Sequence, residues 1–181
     1  MKKSSEFTLD IPKMGYFLLV KHDKGLIGDM IKAAQLKEGF NGEHASFTHV
    51  EVMGGGQWSV CVAYPSTSVI DITKRYKGRK VKIVKYKEYS NEPTDALYHK
   101  KYKVAFWAAS HCNLKYDFRG VVGFVLNAVK HAKNLFFCSE NCLWALQKEF
   151  PNALNLEPEK CMPAHFADRK NFVTVWEGII N

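Results

Sequence analysis

An α+β domain with an antiparallel sheet is the fold class this chain predicts, and three features predict it. Short β-prone runs separated by glycines or polar breaks dominate residues 15–86. Longer stretches with helical spacing of apolar residues dominate residues 93–150, and the two kinds of segment are segregated rather than alternating. At 181 residues and 46% hydrophobic content the chain can bury one core and is short for two. A single domain over residues 1–181 is expected, with 1–14 as a flexible N-terminal extension.

Gly15-Tyr16-Phe17-Leu18-Leu19-Val20 is an apolar run behind a glycine and reads as a buried strand. Residues 26–34 carry apolar side chains at helical spacing, and the glycines and polar residues of 38–46 read as a loop. The triple glycine Gly54-Gly55-Gly56 between 47–53 and 58–63 predicts a β-hairpin. A turn centred on Gly55 sets His49 opposite Cys61 and Glu51 opposite Ser59, and a one-residue slip would undo that pairing. Residues 68–72 and 81–86 complete the sheet. Residues 93–111, 120–133 and 139–150 read as helices, the last stopped by Pro151, and 172–176 as a returning strand.

Lys and Arg number 26 against 18 Asp and Glu, and the net charge of +8 favours an anionic partner. The lysines, Lys82 among them, are spread along strands and helices and read as solvated faces. No recognition signature supports a specific nucleic-acid partner, which leaves a nucleic-acid-binding role resting on charge alone. Five cysteines without the dense spacing of a disulfide scaffold point to a reducing compartment. The first 14 residues lack the apolar core of a secretory signal, and the runs 16–20 and 104–109 are too short for a transmembrane segment, so a cytoplasmic protein is expected.

Cys138 stands where a loop enters the last predicted helix. The unpaired amides and macrodipole of a helix start stabilise an anion and lower a thiol pKa from about 8.5. The amides of Ser139 or Asn141 are candidates to hold a developing oxyanion. The competing reading is a buried free cysteine, the ordinary condition of such residues. Cys142, one turn on, is assigned to packing, as are Cys112 and Cys161, which have no helix-start context. The Cys138–Cys142 spacing has no second Cys/His pair at finger-like distance, so neither a metal ion nor another cofactor is expected.

A nucleophilic thiol needs an imidazole, and seven histidines compete for the place. His49 lies on a predicted rigid strand. His99, His111 and His131 fall in helical stretches, and His22, His44 and His165 in or near loops.

Phe47-Thr48-His49-Val50, followed far downstream by Phe137-Cys138-Ser139-Glu140, resembles the permuted papain-like peptidases of the NlpC-type superfamily, specifically the YiiX-like group. There a strand histidine precedes the helix-start cysteine. The opening strand at 15–20, the helix at 27–34 and Tyr116-Asp117-Phe118, similar to the group's Tyr-Asp-Phe signature, fall in the same order. The similarity runs from about Gly15 to Trp176.

The resemblance implies a circularly permuted papain-like (NlpC-type) fold and a cysteine peptidase or amidase with Cys138 as nucleophile and His49 as base. It implies a peptide or cell-wall peptide substrate. Relatives such as lecithin retinol acyltransferase imply an alternative, a thiol acyltransferase or esterase acting on a lipid acyl substrate.

Two positions depart from the group's pattern. Tyr16 stands where the group has an aspartate after the glycine. The group also places a glutamate or another polar residue on the strand after the histidine, and the hairpin register puts Cys61 at that third-member position. A thiol accepts hydrogen bonds poorly. Glu51, two residues from His49 on the same strand face, is the substitute, against a competing reading as a solvated strand residue. Asp71 is a more distant candidate. Without an acid behind His49, the chain reads instead as a catalytically degenerate papain-like domain that binds an anionic partner through its lysines.

Overall fold

A computed structural model describes residues 14–90, 94–117 and 135–181. Among them, six strands form one antiparallel sheet: β1 (Phe17–Lys21), β2 (Phe47–Gly55), β3 (Trp58–Val62), β4 (Thr67–Asp71), β5 (Lys80–Tyr86) and β6 (Phe172–Ile179). Their order is β4-β3-β2-β1-β5-β6. The helices are α1 (Leu26–Lys37), α2 (Gly42–Ala45), α3 (Ile72–Arg75), α4 (Thr94–Ala109), α5 (Cys138–Glu149) and α6 (Pro163–Ala167). The architecture is α+β. The expected N-terminal extension, Met14 apart, and the helix expected at 120–133 lie outside the described residues. No helix among the described residues is long and apolar enough to cross a membrane.

β1 is central because its sequence permits nothing else. Phe17, Leu18 and Leu19 have no exposed surface, and an apolar run of this kind is stable only with neighbours on both edges and cover on both faces. β2 and β5 supply the edges. The ring of Phe17 packs 4.8 Å from that of Phe166 in α6 and 5.7 Å from that of Phe172 in β6. α4 and α5 pack on each other, and both reach β2.

The β2–β3 hairpin forms, with a register different from the expected one. Val52 lies opposite Val60 and Met53 opposite Ser59, with an irregularity between Met53 and Gly55. The chain reverses at Gly56 and Gln57, and Gly55 and Gly56 hold φ of 108° and 53°, a region that glycine enters at little cost. The reversal centres one residue later than the turn assumed from the triple glycine, which shifts the pairing by two. A two-residue shift keeps every side chain on its face, so His49, Glu51, Ser59 and Cys61 still point the same way. Continuing the observed register sets Glu51, not His49, opposite Cys61.

Two other expectations need correction. Residues 42–45 form α2 rather than loop, because the Asn41 side chain accepts a hydrogen bond from the His44 amide at 2.9 Å and caps the turn. Lys82 is buried, not solvated: its ammonium lies 3.3 Å from Glu43 and 3.3 Å from Glu177, and 4.7 Å from the centroid of Phe47. The helix expected from residue 26 forms as α1, with its first apolar residues outside the core. Leu26 and Ile27 are exposed, and the helix is held instead through Ala34 and Gln35.

Gln35 has no exposed surface and joins three elements. Its Nε2 donates to the carbonyls of Ala45 and Phe47, both at 3.0 Å, and its Oε1 accepts from the amide of Ala164 at 2.7 Å. The start of β2, two residues before His49, is therefore tied to α1 and α6. Gln35→Leu leaves three buried backbone groups without partners and should cost about 3 kcal/mol. A urea midpoint that falls with unchanged slope is the expected result. An unaltered midpoint would show that this side chain does not hold the elements together.

Candidate functional site

The first residue of α5 is Cys138, and its side chain is buried against His49 of β2. Burial alone would push the thiol pKa up. The charge of His49, a hydrogen bond from its ring, and the amides of Val50 and Ser139 directed at the sulfur outweigh it, and Cys138 is shifted below the ordinary thiol value. The other four cysteines go the opposite way: burial pushes Cys61, Cys112, Cys142 and Cys161 up. Of the five thiols, Cys138 is the one held toward its anion.

His49 sits in the matching state. Burial disfavours its charged form, yet the phenolic oxygen of Tyr76, the Cys138 thiolate and the hydrogen bonds to Cys138 and Cys61 raise its pKa well above the ordinary imidazole value. Its Nε2 lies 2.9 Å from Oε1 of Glu51. That engagement leaves Nδ1 for the thiol. With 21% of its side chain exposed, the ring is reachable from solvent while Glu51 behind it is not.

Glu51 is buried completely, which overturns its reading as a solvated strand residue. Burial would raise its carboxyl pKa, but the hydrogen bond and charge of His49, with further hydrogen bonds from Cys61 and Ser59, hold it below the usual value. The Ser59 hydroxyl donates to Oε2 at 2.5 Å, and the Tyr76 hydroxyl donates to Oε1. The third position behind His49 is therefore filled from the histidine's own strand. Cys61 approaches the same Nε2 at 3.6 Å but remains a thiol. Asp71 is elsewhere, capping α3 through the amides of Thr73 at 2.9 Å and Lys74 at 3.4 Å.

A scan against protein-family models finds no match to this chain, and a search of curated proteins finds none. The reading of the site rests on its geometry and its sequence.

The remaining histidines have other partners or lie apart. His22 contacts Asp29 at 2.8 Å, and the ring of His165 accepts from the Met162 amide at 2.9 Å. His111 meets Asn141 Oδ1 at 2.7 Å and lies between Phe136, 4.0 Å away by ring centroid, and Trp144 at 4.2 Å. His44 falls in α2 and His99 on the exposed face of α4, while His131 lies outside the described residues. Asn141 cannot serve the oxyanion through its amide, which donates to the Phe137 carbonyl at 3.1 Å. The Ser139 amide remains available, beside the sulfur.

Of four further residues around the site, Tyr76 escaped the sequence reading, whereas Ser59, Tyr116 and Glu140 stood in its hairpin or its motifs. Ser59 was legible as a polar neighbour of Glu51 across the hairpin, but Tyr76 was not, because only α3 returns it from residue 76 to the carboxylate. Tyr116 pairs in a parallel bridge with Phe136, two residues before Cys138. Burial and then the Cys138 charge push its hydroxyl pKa up. At the third residue of α5, Glu140 accepts from the Phe137 amide at 3.2 Å, and burial pushes its carboxyl up to about 7.

His49, Glu51 and Cys61 each offer one ligand atom, and these atoms all lie within 4.8 Å of one another. This is the group among the described residues that could hold a metal ion.

Glu51→Gln keeps the shape and removes the charge. The imidazolium then loses its buried counter-ion, its pKa falls, and with it goes the charge that lowers the Cys138 pKa. The pH midpoint of Cys138 alkylation should rise by about one unit, equivalent to about 1.4 kcal/mol. Tyr76→Phe should move it in the same direction by less. An unmoved midpoint in Glu51→Gln would mean that the carboxylate does not support the pair.

Proposed function

We propose that this chain is a cysteine hydrolase with a single domain of the circularly permuted papain-like, NlpC type, cleaving an amide bond in a peptide or cell-wall peptide. One observation carries the reading: a helix-start thiol faces an imidazole whose far nitrogen is held by a buried carboxylate. The order of the parts supports it, with the histidine on β2 and the cysteine at the start of α5. The antiparallel sheet with helices packed on β2 is consistent with that fold.

In this mechanism the Cys138 thiolate adds to the carbonyl carbon, and the carbonyl electron pair moves onto oxygen. The amide of Ser139 is the nearest backbone donor for that oxyanion. As the tetrahedral adduct collapses, His49 gives its Nδ1 proton to the leaving amine and an acyl-thioester remains. The now neutral imidazole takes a proton from water, whose hydroxide displaces the thiolate and restores the ion pair. Glu51 keeps its charge throughout, holding the ring in one orientation and stabilising its cation.

The binding-only alternative was motivated by a missing acid behind His49, and Glu51 supplies one. A lipid acyl substrate has a specific observation in its favour. Tyr98, Tyr102 and Phe106, four residues apart on α4, each expose more than half of their surface, an aromatic stripe suited to an apolar interface.

Iodoacetamide labelling at pH 6, followed residue by residue, tests the proposal. Cys138 should react at least about 30-fold faster than the other cysteines, because an ordinary thiol is almost wholly protonated there. His49→Ala should slow it by about tenfold or more, and the Cys138 rate should stay nearly level from pH 6 to 8 where the others climb. Equal slow labelling of every thiol would remove the activated nucleophile. Accumulation of an acyl adduct on Cys138 from a peptide thioester, but not on Cys138→Ser, would then identify the reaction class.

A further inference from the structure

Orientation of His49 is already accomplished by Glu51, yet a second sulfur, that of Cys61, lies 3.6 Å from the same Nε2. Cys61 is 2% exposed, and its thiol also hydrogen-bonds Glu51. Neither the attack nor the proton transfers use this thiol. We infer that His49 Nε2, a carboxylate oxygen of Glu51 and Cys61 Sγ form a binding site for a zinc-class divalent cation, which shuts the thiol site when occupied.

The distances fit tetrahedral coordination. Zinc bonds of about 2.0 Å to nitrogen and oxygen and about 2.3 Å to sulfur place the ligand nitrogen and sulfur about 3.5 Å apart and the nitrogen and oxygen about 3.3 Å apart. The observed separations are 3.6 Å and 2.9 Å, so entry of the ion requires the nitrogen–oxygen pair to open by about 0.4 Å. Tyr76 donates to the Oε1 that faces His49 and Ser59 donates to Oε2, the kind of support that fixes metal ligands in place.

The ligand chemistry selects the ion. Calcium and magnesium require oxygen ligands, whereas a thiolate, an imidazole and a carboxylate together suit zinc. Binding displaces the Nε2 proton of His49 and the thiol proton of Cys61 to solvent. The two anionic ligands then cancel the charge of the dication, which a dry site requires. Three protein ligands leave a fourth position for water.

Occupancy has a direct consequence for Cys138. With Nε2 bound to the metal, the ring carries its one proton on Nδ1, the nitrogen left facing the thiol, and so cannot take a proton from Cys138. The binding does not depend on the hydrolase reading; the shut-off rests on it.

Titration of cobalt(II) into the full chain, followed by displacement with zinc, tests the site by spectrum rather than by turnover. One cobalt per chain with a thiolate charge-transfer band is expected, unchanged in Cys138→Ser. In Cys61→Ser the band should disappear and affinity fall more than about 100-fold, beyond the loss that an outer partner causes. No thiolate band in the unaltered protein, or a band that survives in Cys61→Ser and vanishes in Cys138→Ser, would overturn the assignment. Should Cys61→Ser not fold, X-ray absorption of zinc-loaded Cys138→Ser decides: one sulfur at about 2.3 Å with nitrogen and oxygen neighbours supports the site, and an all-oxygen shell refutes it. One zinc per chain should slow labelling of Cys138 at least tenfold. If the cobalt band is present while Cys138 is unreactive even without metal, the hydrolase reading fails and the metal site stands.

Discussion

A carboxylate sealed inside a β-sheet is the constraint on which the rest of this molecule depends. Glu51 has no exposed surface, and a buried charge left unpaired costs several kcal/mol. Four groups satisfy it: the His49 ring from its own strand, the Ser59 hydroxyl and the Cys61 thiol from β3, and the Tyr76 hydroxyl from the end of α3. They arrive from different parts of the chain. The hairpin register, the turn into α3 and the orientation of His49 are therefore coupled to one another through a single side chain.

The same coupling explains the state of Cys138. A helix start favours an anion, but the position is buried, and burial works against the thiolate. The imidazolium decides the balance: the Cys138 anion on one side favours that cation, and Glu51 lies 2.9 Å from its Nε2 on the other. A negative, a positive and a negative group thus alternate through the site, with backbone amides completing the outer solvation of the sulfur. Cys142 lies one turn along the same helix without an imidazole and without a helix start, and its thiol is pushed up instead.

Much of this was legible in the sequence. The strands of the sheet, the α+β class and the helix beginning at Cys138 follow from apolar periodicity and from glycine and proline punctuation. Strand placement singled out His49, and the two-residue strand period put Glu51 beside it. Which of Glu51 and Cys61 backs the imidazole was not legible, because a hairpin with three successive glycines does not announce where it turns. α2 was missed since four residues carry no periodicity and only the Asn41 cap reveals them. Lys82 read as solvated because nothing local shows that Glu43 and Glu177 converge on it from distant segments. Tyr76 is the same case: its role is set by tertiary approach alone.

The protonation state of the His49 ring tests the central claim most directly, and nitrogen-15 NMR of the histidine side chains reads it. At pH 7.5 both ring nitrogens of His49 should be protonated, and in Cys138→Ala the ring should lose a proton near or below neutrality, since the anion that raises its pKa is gone. A His49 ring that is neutral at pH 7.5 and titrates in the ordinary histidine range in both proteins would contradict the account.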